Sequence, residues 1–228
     1  MKKVAVLAFF VVMSLVAIVI IFVQRRFVYT LSWLPPPGIK KLHTTFDDTV
    51  SALRGINAKY ALAYGTALGV VRENDLIQRD RDVDFAMFYE DLPSWDTLNR
   101  AMASHGFECP AKSTPYSWEC HGRQYPILFQ YRHRIIRVGC DIGVMYRRDD
   151  GTWDFGGARP GTGHRFISRP GKPEMNEIHF RGHEHSIFPV EWLKEQYGES
   201  WMTPLPDDKG RPSSKCTNET SCIYPPPE

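Results

Sequence analysis

The run from Val4 to Val23 carries no charge and one hydroxyl, Ser14, and such a run is costly to leave in water. At about 1.5 Å per residue a helix over it spans roughly 30 Å, the hydrocarbon thickness of a bilayer. Lys2 and Lys3 precede it, and Arg25 and Arg26 follow. A cleaved signal peptide has a shorter apolar core, about 7–15 residues, closed by small residues. Gln24-Arg25-Arg26-Phe27 offers no such site. Residues 1–26 are therefore expected to be a short stub and an uncleaved single transmembrane signal anchor. Counting Lys40 and Lys41 with the arginines slightly favours a cytosolic C-terminal domain. Asn218-Glu219-Thr220, a glycosylation acceptor, favours the lumen, as do Cys216 and Cys222, which flank it and can pair under oxidising conditions.

Residues 27–41 contain Leu34-Pro35-Pro36-Pro37-Gly38 and read as a stiff spacer. Beyond it, Leu42, Phe46, Val50, Leu53 and Ile56 recur at helical spacing and predict an amphipathic helix over 42–57. Tyr60 to Tyr64 reads as a buried strand, broken by Gly65-Thr66, with a short helix over 66–72. Asp82 to Tyr89 reads as a second strand, and Trp95, Leu98 and Met102 mark a helix ending near Gly106. Two strands are expected over 126–131 and 134–146, joined by a tight polar turn near Arg132-His133. Residues 156–173 are rich in Gly, Pro and Arg and read as a loop. Pro189 begins a last helix that Gly198 stops near Tyr197. The order is α+β, a mixed sheet flanked by helices. Residues 42–206 form the predicted domain and 207–228 an irregular polar tail.

The chemistry concentrates in Asp80-Arg81-Asp82-Val83-Asp84. Alternate residues of a strand share a face, so the carboxylates of Asp82 and Asp84 project together while Val83 and Phe85 face a core. Two like charges that close repel unless a proton or a cation intervenes, and carboxylate oxygens suit Mg²⁺ or Mn²⁺. Asp141 stands inside the apolar stretch Ile135–Ile142, where an isolated carboxylate is costly to bury. If the two strands are neighbours, Asp141 completes a three-carboxylate cluster able to hold a metal against phosphate oxygens. Before it, Gly65-Thr66-Ala67-Leu68-Gly69 joins a strand to a helix start, whose free N–H groups favour an anion. Arg72, Arg79 and Arg81 add positive charge nearby.

Other features carry less. A net charge of +2 gives no basis for a nucleic-acid partner. Cys109, Cys120 and Cys140 read as small buried hydrophobes, with no tight Cys-x-x-Cys pair for zinc. His179, His183 and His185 lack the H-E-x-x-H spacing and read as a polar loop or a substrate contact.

The run Tyr64-Gly65-Thr66-Ala67-Leu68-Gly69-Val70-Val71-Arg72 followed by Asp80-Arg81-Asp82-Val83-Asp84 resembles the signature of the LicD and fukutin-related phosphotransferases. The resemblance extends to Val138–Ile142, Phe188-Pro189-Val190 and Tyr197–Pro204. It implies a nucleotidyltransferase-like fold. The implied reaction moves a phosphorylated group, such as phosphocholine or ribitol phosphate, from a CDP-activated donor to a glycan or glycoprotein acceptor. It implies a divalent metal held by Asp82, Asp84 and Asp141, and a donor-phosphate site lined by Gly65, Thr66 and Gly69, with Arg72 beside it. For eukaryotic members it implies an N-terminal anchor with the domain in the Golgi or ER lumen. Arg81 stands where the family commonly has another acid. Two other classes stay open: a D-x-D nucleotide-sugar glycosyltransferase, and a non-catalytic relative serving as partner of an active transferase.

Overall fold

The computed structural model describes residues 38–108, 116–120, 123–148, 151–154, 168–204 and 223–224. The Val4–Val23 run, the spacer up to Pro37, Cys109, Cys216, Cys222 and Asn218 lie outside the described residues. No helix among those described is long and apolar enough to cross a membrane.

Helix α1 (Ile39–Gly55) buries Leu42, Phe46, Val50 and Leu53 along one stripe, as their spacing requires. Thr45 and Thr49 sit in that stripe too. Their hydroxyls donate to the carbonyls of Lys41 and Thr45, which removes the cost of burying them. Strand β1 is only Ala61–Leu62. Helix α2 (Tyr64–Glu73) starts two residues before the expected Thr66, so Gly65 lies in its first turn. Strand β2 (Asp82–Phe88) leads through a 3-10 turn, Tyr89–Asp91, to α3 (Trp95–Ser104). Ser94 caps α3 by accepting from the Thr97 amide at 3.2 Å.

Short β3 (Phe107–Glu108) is followed by β4 (Tyr116–Cys120), β5 (Arg123–His133) and β6 (Gly139–Arg148). The turn between β5 and β6 falls after His133, not on it. His133 is buried and closes that turn itself. Its Nδ1 accepts from the amides of Ile135 and Ile136, so Nε2 carries the proton and donates to Asp48 Oδ2 at 3.2 Å. The remaining strands are β7 (Thr152–Asp154), β8 (Ser168–Pro170), β9 (Asn176–Phe180) and β10 (His183–Ile187), followed by α4 (Val190–Tyr197). Ile223–Tyr224, in the stretch expected to be irregular, pair with β6 as β11.

The histidines at 179, 183 and 185, expected in a polar loop, lie on the β9–β10 hairpin instead. Arg181 and Gly182 both take positive φ, 50° and 80°, which matches the twist of a two-residue hairpin. The main sheet runs β3-β5-β6-β2-β1-β10-β9. It is mixed: β2 with β6 and β1 with β10 are parallel, and the other neighbours on that path are antiparallel. The fold is α+β.

Val83, Phe85 and Met87 of β2 point to the buried face covered by α1 and α3, where Phe46 stacks on Phe85 and Trp95 on Phe129. The opposite face changes character along its length. Asp82 and Asp84 lie at one end. Ala86 and Phe88 continue toward a second apolar cluster with Met145, Trp153, Phe188 and Trp192. The half-buried carboxylates stand at the end of this face away from that cluster.

Candidate active site

Parallel pairing of β2 with β6 sets Asp84 directly beside Asp141 and Asp82 beside Gly139. Carboxylate oxygens of Asp82, Asp84 and Asp141 all lie within 4.8 Å of one another, and all three residues are half-buried. At that spacing and an effective dielectric of about 20, each pair of charges repels by roughly 3 kcal/mol. Protons or a cation must offset that, and three hard oxygens at one point match the donor preference of Mg²⁺ or Mn²⁺. Among the described residues this is the one group of His, Cys, Asp and Glu so arranged.

Neighbouring groups set the direction of two of these carboxylates. The Gly65 amide donates to Asp84 Oδ2 at 3.1 Å, and the Asp84 amide donates to Thr66 Oγ1 at 2.8 Å. The helix N-terminus expected to receive a phosphate thus holds the protein's own carboxylate. Gln130, opposite Asp141 on β5, donates from Nε2 to Asp141 Oδ2 at 2.9 Å. The sequence reading missed Gln130; its signal was a polar residue at alternate spacing within an apolar strand.

Any side chain at 65 would displace a carboxylate of this corner. A Cβ there would stand 2.6 Å from Asp80 Oδ2 and 3.2 Å from Asp84 Oδ2, so Asp80 also crowds this corner. Gly69 has a different setting from the expected one. The space its side chain would take is filled by the Asp75 carbonyl at 2.6 Å and the Ile77 amide at 2.9 Å. It lets α2 pack on its following loop. Arg72, in the last turn of α2, pairs with Glu73 and donates from Nη1 to the Trp201 carbonyl at 3.3 Å. These contacts tie α2 to the segment after α4 rather than to the carboxylates. Arg81 has an exposed side chain, and its carbonyl accepts from the Gly139 amide.

Tyr64 adopts φ 43° at the start of α2. Loss of solvent around its phenol, with Asp84, Tyr197 and Asp141 nearby, pushes its pKa well above the usual tyrosine value. It stays neutral, and its ring packs against the second apolar cluster. Cys140, between Gly139 and Asp141 but on the core face, is fully buried, and desolvation raises its thiol pKa well above normal despite a bond with Thr49. It packs as a small hydrophobe. His185 is buried with both ring nitrogens engaged, Nε2 to the Phe180 carbonyl at 3.1 Å and Nδ1 to the Tyr60 hydroxyl at 3.2 Å. His179 pairs with Glu184 on the exposed side of the hairpin.

A strand pair that aims three carboxylates at one point beside a helix N-terminus, in an α+β frame, offers a donor set that suits a divalent cation. The LicD/FKTN/FKRP nucleotidyltransferase domain model matches residues 57–197, and the chain belongs to that family. Ribitol 5-phosphate transferase FKRP from Homo sapiens and from Mus musculus are each 32% identical to it over 77 residues. That match takes in 34% of this chain and 16% of each relative, so it reaches about one sixth of their length. Family membership points to a transferase-type function. Among solved structures, lincomycin-bound lincosamide antibiotic adenylyltransferase LnuA aligns with a TM-score of 0.41 and 15% identity, over 67% of this chain and 81% of that one. An antigenic nucleotidyltransferase-like protein from Paracoccidioides brasiliensis aligns with a TM-score of 0.34 and 17% identity, over 79% of this chain and 82% of that one.

Proposed function

We propose that this chain is a membrane-anchored, metal-dependent phosphotransferase. In this reading it moves a phosphorylated group, of the phosphocholine or ribitol phosphate type, from a CDP-activated donor to a glycan or glycoprotein acceptor. The observation that carries it is the register of β2 on β6, which brings Asp141 beside Asp84 and completes the carboxylate cluster. Asp82, Asp84 and Asp141 would hold Mg²⁺ or Mn²⁺. Such an ion, when bound, neutralises charge on the diphosphate and on the departing CMP.

The protein's own residues position and shield. Gly65 and Thr66 hold Asp84 in place, and Gln130 holds Asp141. Tyr64 supplies a neutral phenol at the wall of the cluster. In the transfer, an acceptor hydroxyl oxygen forms a bond to the donor phosphorus. The bond from that phosphorus to the CMP oxygen breaks, CMP leaves with the electron pair, and the hydroxyl proton passes to a carboxylate of the site. The apolar run at Val4–Val23 supports anchoring, and Asn218-Glu219-Thr220 supports a Golgi or ER lumenal domain.

The full chain, melted with CDP-choline, CDP-ribitol, CDP-glycerol and a panel of UDP- and GDP-sugars, with and without Mn²⁺, tests this. Metal-dependent stabilisation by a CDP compound, lost in Asp82→Asn, is the expected result. Stabilisation by nucleotide-sugars alone would make the protein a glycosyltransferase, and no response to any metal or nucleotide would make it a non-catalytic partner.

A further inference from the structure

Arg132 shares the sheet face of the carboxylates. Gln130, one alternation earlier on β5, reaches Asp141 across the strand gap, and the register is unbroken from Gln130↔Asp141 to Arg132↔Gly139. Tyr131 between them points the other way, to Asn99 of α3. Gly139 in turn pairs with Asp82 on β2. One row across three strands therefore reads Arg132, Gly139, Asp82, with a residue lacking a side chain in the middle. Two strand spacings separate the Cα atoms of Arg132 and Asp82 by about 10 Å. The gap is tight, since a Cβ on Gly139 would lie 3.1 Å from Asp82 Cβ.

The guanidinium is tethered at the hairpin turn by a backbone carbonyl. Its Nε donates to the Arg137 carbonyl at 3.3 Å, and Arg137 takes a left-handed φ of 67° at that turn. Glu108 flanks Arg132 on β3, but it pairs with Arg137 at 3.8 Å. Among the described residues no carboxylate stands within ion-pair distance of Arg132. Desolvation and the neighbouring Arg137 both disfavour its charge, with Glu108 opposing them. A half-buried cation in that position gains from an external anion.

We propose that Arg132 forms an oxyanion subsite of the carboxylate cleft, separated from the cluster by the Gly139 gap. It takes a phosphate group of a ligand whose other anionic part lies on the cation held by Asp82, Asp84 and Asp141. The subsite rests on the metal-dependent reading for that second contact only. The phosphate belongs either to the nucleotide donor or to a phosphorylated sugar acceptor. Gln130 holds Asp141 from the same strand, so β5 serves both halves of the cleft.

The test is a ³¹P NMR titration of inorganic phosphate into the full chain with Mg²⁺, alongside Mn²⁺ binding followed by electron paramagnetic resonance. Arg132→Gln should weaken phosphate binding by roughly tenfold or more, the scale of a lost charge-assisted hydrogen bond. Arg132→Lys should keep part of it, and Mn²⁺ affinity should stay equal or rise. Arg134→Gln, which removes the same charge from the exposed turn, should cost less than about threefold. Equal losses in Arg132→Gln and Arg134→Gln, or no loss in either, would overturn the subsite. If wild-type protein takes up no Mn²⁺, the cluster reading fails by itself. If Mn²⁺ binds and Arg132→Gln holds phosphate like wild type, the subsite alone fails. Repeating the titration with CDP and with glucose 6-phosphate identifies the source: loss of CDP affinity assigns the donor, and selective loss of glucose 6-phosphate assigns the acceptor.

Discussion

Gly65 and Asp84 hold each other in place from two sides: the Gly65 amide donates to the Asp84 carboxylate, and the absent Gly65 side chain leaves room for it. Gly65→Ala would put a carbon 2.6 Å from Asp80 Oδ2 and 3.2 Å from Asp84 Oδ2. The expected outcome is a loss of about 1–3 kcal/mol in stability and at least about tenfold in Mn²⁺ affinity. Gly55→Ala, where nothing lies within 4 Å, should be neutral or slightly stabilising. Thermal melts and Mn²⁺ titrations of both variants check the contrast.

Thr66 accepts the Asp84 amide in a buried position. Thr66→Val keeps the shape and removes the acceptor, which strands a buried N–H and should cost about 1–3 kcal/mol. Thr66→Ser should recover most of that. Urea denaturation of the three proteins measures it, and equal midpoints would show that the bond contributes nothing.

Gln130→Leu removes the donor that aims Asp141. Loss of a partner behind a metal ligand typically costs about 10–100-fold in affinity, and that range is expected for Mn²⁺ here. The melting temperature without metal should move little, because Gln130 is only half-buried. Isothermal titration of Mn²⁺ decides between this and an unchanged affinity.

Three carboxylates within 4.8 Å repel when no cation is present. Asp141→Asn should therefore raise the melting temperature of the metal-free protein and abolish the gain from Mn²⁺. For wild type that gain should approach about 2.7 kcal/mol at a free ion concentration of about 100 times Kd. A metal-free variant less stable than wild type would mean that Asp141 is held by partners worth more than the repulsion.

His185 is buried, and desolvation lowers its pKa, with His183 and Arg54 adding to the effect while Phe180 and Glu184 oppose it. The unfolded chain then binds more protons than the folded one below the ordinary histidine pKa of about 6.5. Stability is full above that pH and falls as the solution is acidified toward the depressed folded value. Melting temperatures from pH 7.5 to 5.5 should fall for wild type and fall less steeply for His185→Gln, which cannot take up the proton.

Much of this was legible in the chain. Strand β2 could be read because Asp82 and Asp84 alternate with Val83 and Phe85, and a period of two admits few other structures. Helix α1 followed from the spacing of Leu42, Phe46, Val50 and Leu53, and α4 from Pro189 and Gly198. The β9–β10 hairpin was not legible. Its histidines look polar in sequence, yet His185 is buried once Tyr60 and the Phe180 carbonyl satisfy its ring. The turn after His133 was misplaced for a similar reason, since the bond to Asp48 comes from a helix 85 residues earlier.

The sequence by itself determined which residues carry charge, which faces are apolar, and that Asp82 and Asp84 project together. Those are local properties, set by backbone periodicity and side-chain chemistry within a few residues. Only the tertiary structure decided that Asp141 stands beside Asp84, that the Gly65 amide of α2 holds a carboxylate, that Gly69 packs against a loop, and that Arg132 lies in register with Gly139 and Asp82. Each depends on strand order and register, which arise from long-range pairing and core packing that no local pattern encodes.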